Sequence, residues 1–251
     1  MKLKGKVALI TGSGRGIGRG IAEVFADEGA DVVVNDIINS PETQETARIV
    51  CSKGRRSIFV QGDVSKREDV EAMFAQAWEQ LGAVDILVNN AGIETIIPFL
   101  EMADEQWTQL VDINLRGPWL CSQVFCRRVV AESRKASSVH IGSIQAAKVL
   151  PGRTHYAPAK LGLEALARNM SAELAPLGIR VNCVHPGYVE TDMTRWIRNV
   201  PGARDAVLGQ ISLGRSAECQ EIGKAVAFFA SDEASYVTGQ SIHVDGGWER
   251  K

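Results

Sequence analysis

The sequence predicts an α/β fold: one doubly wound domain built on a mainly parallel seven-stranded sheet with helices on both faces. Three observations predict it. Short β-branched runs alternate with stretches of helical apolar spacing from one end of the chain to the other. The interior strands read as unbroken apolar runs such as Val32-Val33-Val34, the pattern of strands buried on both faces. No linker, low-complexity stretch or repeat divides the chain, so residues 1–251 read as a single domain.

The elements follow in order. Val7-Ala8-Leu9-Ile10 is a first strand that ends at a glycine-rich turn, and Ile17, Ile21, Ala22, Val24 and Phe25 give a helix over 17–28 that stops at Gly29. The second strand is Val32-Val33-Val34. Pro41 sits early in the next helix, which ends near Gly54. A third strand over 57–60 precedes a helix to Leu81, with Ser65 as N-cap and Glu68 completing a capping box. A fourth strand over 85–88 leads to one long helix over about 104–131. A fifth strand over 138–141, a helix over 154–177 ended by Gly178 and a sixth strand over 180–184 come next. Residues 190–216 lack a clean period and read as a mobile loop with short helices over the substrate. A helix over 218–230 and a strand over 241–244 close the chain.

Composition excludes several function classes. A formal charge of −2 with dispersed Lys and Arg gives no basic field for nucleic acid or an anionic membrane. Five cysteines without a C-x-x-C pair argue against a disulfide framework, and four scattered histidines offer no metal site. There is no signal-type segment and no apolar run of the ~20 residues a spanning helix needs, so cytoplasmic residence is the expectation.

The turn Thr11-Gly12-Ser13-Gly14-Arg15-Gly16-Ile17-Gly18 joins the first strand to the first helix. A pyrophosphate there meets free backbone N–H groups and the positive end of the helix dipole, and glycine is needed where a Cβ would block that approach. Asp36 closes the second strand, near the offset at which a carboxylate meets the adenosine ribose hydroxyls. A carboxylate there favours NAD, because a 2′-phosphate at ~4 Å would meet about 4 kcal/mol of repulsion per charge pair at an effective dielectric of 20. Arg15 points the other way, since a guanidinium can hold that phosphate. Asp36 weighs more, with NADP left open.

Tyr156 and Lys160 stand four apart on a predicted helix, so they share a face, and Ser143 ends the strand before it. A phenol titrates near ~10 unless a neighbouring cation favours the phenolate. The expectation is that the Lys160 ammonium, with the positive nicotinamide, lowers Tyr156 and that Ser143 holds the substrate oxygen in line. On spacing alone a Tyr–Lys pair is an ordinary helix surface.

The whole pattern resembles the short-chain dehydrogenases/reductases along essentially the full chain. Thr11–Gly18 looks like that family's T-G-x-x-x-G-x-G cofactor turn, and Asn89-Asn90-Ala91-Gly92 like its N-N-A-G. Ser143 with Tyr156-x-x-x-Lys160 and Pro186-Gly187-x-x-x-Thr191 resemble its serine, Y-x-x-x-K and P-G-x-x-x-T. The resemblance implies a Rossmann-type fold and NAD(P)-dependent chemistry on a secondary alcohol or ketone. It implies Tyr156 as acid/base, Lys160 also on the nicotinamide ribose, Ser143 on the carbonyl, and Asn114 holding a relay water through its backbone. It implies cofactor contacts at Gly12, Arg15, Gly16, Ile17, Gly18, Asp36, Asp63, Val64, Asn90, Ala91, Gly92, Pro186, Gly187, Val189 and Thr191. Gly142 departs from the serine or asparagine usual there, Ala159 replaces a frequent serine, and Pro158 requires the helix to begin just before it.

Within the family, Gly92-Ile93-Glu94 and His155-Tyr156 resemble bacterial sugar and polyol dehydrogenases, while Glu190–Thr194 also suits 3-oxoacyl-carrier-protein reductases. Leu177, where a basic residue would help an acidic carrier dock, weakly disfavours the second group. Glu94, Gln145 and Tyr188 are candidate substrate contacts beside Ser143 and Tyr156; Glu94 and Gln145 read equally as a subunit contact and loop surface. Trp196 and Met193 either cover an apolar group or pack the loop. A non-catalytic sensor of the nicotinamide ratio is the reading from another class. The retained proton carriers weigh against it. The resemblance also implies a homotetramer, formed through the two long helices and the C-terminal strand, with a small molecule as the other partner.

Overall fold

A computed structural model describes residues 1–249. Strands β1 (Val7–Ile10), β2 (Asp31–Asp36), β3 (Ser57–Gln61), β4 (Ile86–Asn89), β5 (Ala136–Ile141), β6 (Ile179–Pro186) and β7 (Ser241–Val244) form one sheet in the order β3-β2-β1-β4-β5-β6-β7. Every neighbouring pair is parallel. The chain moves outward through β2 and β3, then returns to place β4 on the other side of β1. That reversal opens a crevice at the carboxyl ends of β1 and β4, where open α/β sheets bind ligands.

Helices α1 (Gly16–Asp27), α2 (Pro41–Ser52) and α9 (Cys219–Ala230) cover one face, with Ile21, Phe25, Val50, Ile222 and Phe229 packed on Ile10, Val34 and Val88. The other face carries α3 (Arg67–Leu81), α5 (Gly117–Ala131) and α6 (Tyr156–Leu174), whose Met73, Phe74, Phe125 and Leu163 pack on Leu9, Val33 and Leu87. Both layers bury apolar side chains on one continuous sheet, as the unalternating strand sequences require. Over residues 190–216 only the short helices α7 (Arg195–Asn199) and α8 (Ala203–Leu208) form. Ile197 and Ile211 there pack with Ile144, Tyr188 and Trp248 in a small separate cluster.

Two expectations need correction. Ser65 does not cap α3: its hydroxyl donates to Asp63 Oδ1 at 2.7 Å, and the helix begins at Arg67 after Lys66. An aspartate two residues back is the nearer partner. The long helix is also not uniform. It is α4 (Asp104–Val111), a π turn over Asp112–Arg116 in which the Gly117 amide reaches the Asp112 carbonyl, and then α5. Pro118 has no amide hydrogen, so the Asn114 carbonyl four residues back receives no α-helical bond from it. By contrast α6 begins at Tyr156, which puts Pro158 in its first turn, where a proline removes no hydrogen bond. No helix among the described residues is long and apolar enough to cross a membrane.

Buried histidines make the fold sensitive to acid. His140 on β5 is fully enclosed; its Nδ1 accepts from Asn89 Nδ2 at 3.1 Å, and burial holds its pKa down to about 4. His185 is lowered as well, mainly by burial and then by His243. The unfolded chain takes up these protons first, so stability is full above pH 6.5 and falls as pH drops from 6.5 towards 4. For His140 alone the loss is roughly 3 kcal/mol, at ~1.36 per pKa unit. Urea midpoints at pH 7 and pH 5 should differ accordingly, and His140→Asn should remove about one proton from that dependence. Equal midpoints in the native protein would contradict a neutral buried His140.

Candidate active site

The crevice is a cavity of about 530 Å³, and its walls include all but one of the site residues named from the sequence. The exception is Asn114, which is fully buried behind Gly92 and Ile93.

One half of the crevice is the glycine turn. Gly12 and Gly16 have φ of +60° and +55°, a region that favours glycine. A Cβ on Gly12 would lie 2.8 Å from Ala91 Cα, and one on Gly18 would lie 2.4 Å from the Gly12 carbonyl oxygen. The turn therefore packs with no room for side chains, and the amino end of α1 opens onto the cavity. Asn90 lines this region, but its side chain serves the protein. Asn90 Nδ2 donates to the Thr11 and Gly12 carbonyls at 2.9 Å each, while Thr11 Oγ1 accepts from the Asn90 and Ala91 amides at 3.0 Å. The N-N-A-G segment is thus a brace for the turn. Arg19, which the sequence reading passed over, ties the turn to α2 by donating to the Gly14 and Glu42 carbonyls at 2.7 and 2.8 Å. Thr191 closes the turn from above, with its methyl 3.5 Å from where a Gly16 Cβ would stand.

Asp36 stands at the carboxyl end of β2 against Gly14, and its Oδ1 accepts from the Ile37 amide at 2.8 Å. Arg15 pairs instead with Asp192 at 3.3 Å, with both groups exposed. Asp63 Oδ1 accepts from the Ser65 amide and hydroxyl, which holds Val64 buried in the wall. These residues fit an adenosine ribose and adenine: a carboxylate at the strand end, an apolar wall, and a glycine turn open to phosphate.

The other half holds the proton carriers. Ser143 follows β5, with its amide donating to His185 Nδ1 at 3.1 Å. The imidazole explains Gly142, since a Cβ there would lie 2.3 Å from His185 Nδ1. Tyr156, at the head of α6, is buried and lines the same cavity as Ser143. One turn on, Lys160 Nζ donates to the Ile141 carbonyl at 2.9 Å and lies 5.7 Å from the Tyr156 ring centroid. A Cβ on Gly92 would be 3.3 Å from both Lys160 Nζ and Asn114 Oδ1, so these groups flank that glycine. Asn114 in turn clamps Ile93, accepting from its amide at 2.9 Å and donating to its carbonyl at 2.8 Å.

Among the chain's own groups, burial dominates the electrostatics of the site. Burial pushes Tyr156 above the ordinary phenol value, with Glu94 adding to the rise and Ser143 and Arg153 opposing it. Burial first of all lowers Lys160 itself, to about 8. The phenol is accordingly held protonated, the form a proton donor requires.

Glu94 and Gln145 join Arg153 in one bonded network on the cavity wall. Glu94 Oε1 accepts from Arg153 Nε at 2.7 Å and from Gln145 Nε2 at 2.9 Å, and both members of the ion pair are buried. Trp196 of α7 covers the Arg153 guanidinium at 5.1 Å. Tyr188, buried, and Trp248, whose Nε1 donates to Gln210 at 3.3 Å, complete the wall. Arg153 and Trp248 were missed as site residues. Arg153 stands three residues before Tyr156, a position that carried a signal.

Comparison with known proteins places the whole chain. A family model described as Enoyl-(Acyl carrier protein) reductase matches residues 12–249. The 3-oxoacyl-(acyl-carrier-protein) reductase FabG of Staphylococcus epidermidis is 38% identical over 96% of this chain and 98% of its own. Among solved structures, a gluconate 5-dehydrogenase from Burkholderia cenocepacia in complex with NADP and tartrate superposes with a TM-score of 0.94 at 33% identity, over 100% of this chain and 97% of that one. Carveol dehydrogenase from Mycobacterium avium in complex with NAD gives 0.93 at 34%, covering 100% and 99%. The seven-stranded parallel sheet, the glycine turn and these full-length matches establish that the chain belongs to the short-chain dehydrogenase/reductase family and is an NAD(P)-dependent oxidoreductase.

Proposed function

We propose that the protein interconverts a secondary alcohol and a ketone on a small polar compound, with Tyr156 carrying the proton. The observation that carries this reading is a buried Tyr156 that lines one cavity with Ser143 and Lys160 at the carboxyl edge of the sheet, beside the glycine turn. A bound nicotinamide supplies or accepts the hydride. Ser143 holds the substrate oxygen, and Tyr156 Oη gives it a proton in reduction and takes one in oxidation. Lys160 and Asn114 both abut Gly92, where Lys160 serves the ribose and Asn114 anchors the loop that follows β4. The 190–216 segment acts as the substrate loop: Trp196 and Met193 line the cavity from it.

The cofactor preference proposed is NAD, since Asp36 stands at the ribose position and Arg15 is directed to Asp192. NAD should outperform NADP at least ~10-fold in kcat/KM, a discount on the full repulsion for a partly solvated carboxylate. Asp36→Ala should narrow that ratio. NADP outperforming NAD in the native protein would refute it.

A panel of polyols, sugars, hydroxysteroids and 3-oxoacyl thioesters, each with both cofactors and read at the reduced-nicotinamide absorbance, tests the substrate class. Polyols or sugars should lead. A second reading, 3-oxoacyl-carrier-protein reduction, is favoured by the relatives of that name, and thioesters leading the panel would establish it. We further propose a homotetramer. The groove between α5 and α6, lined by Trp119, Cys126, Val130, Met170 and Leu174, is apolar and open. Light scattering should give about four times 27.2 kDa, and a lone monomer would refute it.

A further inference from the structure

We infer that Arg153, Glu94 and Gln145 form a subsite for a second, uncharged hydroxyl on the substrate, next to the carbon that reacts. The inference rests on the alcohol–ketone reading above and narrows it to vicinal diols and α-hydroxyketones.

Two buried polar atoms of this network lack a hydrogen-bond partner: Arg153 Nη2 and Gln145 Oε1. Both residues line the cavity that holds Tyr156 and Ser143. Native proteins seldom leave such atoms unsatisfied, because each forfeits its bond to water and gains nothing. Arg153 is held in place by two other bonds, from Nε to Glu94 and from Nη1 to the Pro151 carbonyl at 2.9 Å. The position of Nη2 is therefore set in advance. The orientation of Gln145 is also fixed: the Glu94 carboxylate accepts only, so Nε2 must face it and Oε1 must face away.

The chemistry of the occupant follows from charge and from donor count. Arg153 and Gln145 donate to the same Glu94 oxygen, so their heads converge on it. One unused atom donates and the other accepts. A hydroxyl answers both, accepting from Nη2 and donating to Oε1. A carboxylate answers only the donor, leaves Oε1 unpaired, and approaches Glu94, which already neutralises the guanidinium at 2.7 Å. An unsubstituted carbon chain answers neither. The subsite is adjacent to the reacting position: the Gln145 amide donates to Ser143 Oγ at 3.2 Å, and Arg153 and Glu94 line the same cavity as Tyr156. Trp196 covers the guanidinium from the 190–216 segment, and its outer edge is exposed. The indole is thus the cover that an entering hydroxyl displaces.

The test compares matched ring alcohols with NAD: cyclohexanol, 1,2-cyclohexanediol and 2-hydroxycyclohexanecarboxylate. The native enzyme should favour the diol over cyclohexanol by roughly 30-fold in kcat/KM, the scale of a hydrogen bond to a charged group. The carboxylate should do no better than cyclohexanol. The double variant R153M/E94Q removes both charges, so neither is left buried alone, and should bring the diol-to-alcohol ratio near one. Gln145→Leu keeps the ion pair and should lower the ratio as well, which decides the matter if the double variant does not fold. A native ratio near one, a ratio unchanged in whichever variant folds, or a carboxylate that leads the set overturns the subsite while leaving alcohol oxidation intact. No turnover of any of the three by enzyme that binds NAD overturns the underlying reading as well.

Discussion

Tyr156→Phe is expected to lose at least ~100-fold in kcat with every substrate, the lower range for removal of a general acid or base. The phenyl ring fills the same buried volume and loses only the hydroxyl. Cofactor affinity should therefore stay within a few-fold, measured by quenching of tryptophan fluorescence. A rate loss with retained binding separates an enzyme from a protein that only senses the nicotinamide ratio, since a sensor has no use for the proton. Because burial raises the phenol in the folded protein, reduction should not be lost at alkaline pH through Tyr156. Any fall near pH 8 belongs to Lys160, whose buried ammonium is lowered to about that value. A phenylalanine variant that retains most of its activity would remove Tyr156 from the chemistry.

Gly18→Ala has the second large expected effect. Its Cβ would stand 2.4 Å from the Gly12 carbonyl oxygen, 2.6 Å from Asn90 Nδ2 and 2.8 Å from Ser13 Cα. Two of these atoms are backbone, so the strain cannot be relieved by a rotamer change. The helix must back away from the turn, which breaks the two Asn90 bonds to the Thr11 and Gly12 carbonyls. Overpacking of this kind costs about 1–3 kcal/mol, and each lost bond about 1 more. For a chain of this length, ~3 kcal/mol lowers Tm by roughly 6–12 °C. NAD affinity should fall more than ~10-fold, because the amides that would face the pyrophosphate move with the helix. Unchanged Tm and affinity would show that the turn tolerates a side chain.

The sheet was legible because its signals are local. Val32–Val34 buried on both sides, glycines at the helix ends and the 3.6 period of α1 each sit within a dozen residues. The proton carriers were legible as a set, since ordered motifs mark Ser143, Tyr156 and Lys160. What escaped was long-range. The Arg153–Glu94 and Gln145–Glu94 bonds join residues 59 and 51 apart, and no spacing rule pairs charges at that distance. The direction of the Tyr156 shift depended on burial outweighing a neighbouring cation, which composition does not report. The π turn at Asn114 was within reach: Pro118 four residues on denies its carbonyl the usual helical bond, and the apolar period across 104–131 masked that break. Gly142 looked like a missing side chain until His185 was seen to fill its place.

The most direct test is a crystal structure of the enzyme with NAD and a bound ketone or unreactive analogue. The account predicts the substrate oxygen within ~2.6–3.2 Å of both Tyr156 Oη and Ser143 Oγ, with the reacting carbon facing the nicotinamide over the glycine turn. A substrate oxygen bound elsewhere in the crevice, out of reach of Tyr156 and with another proton carrier beside it, would contradict the account.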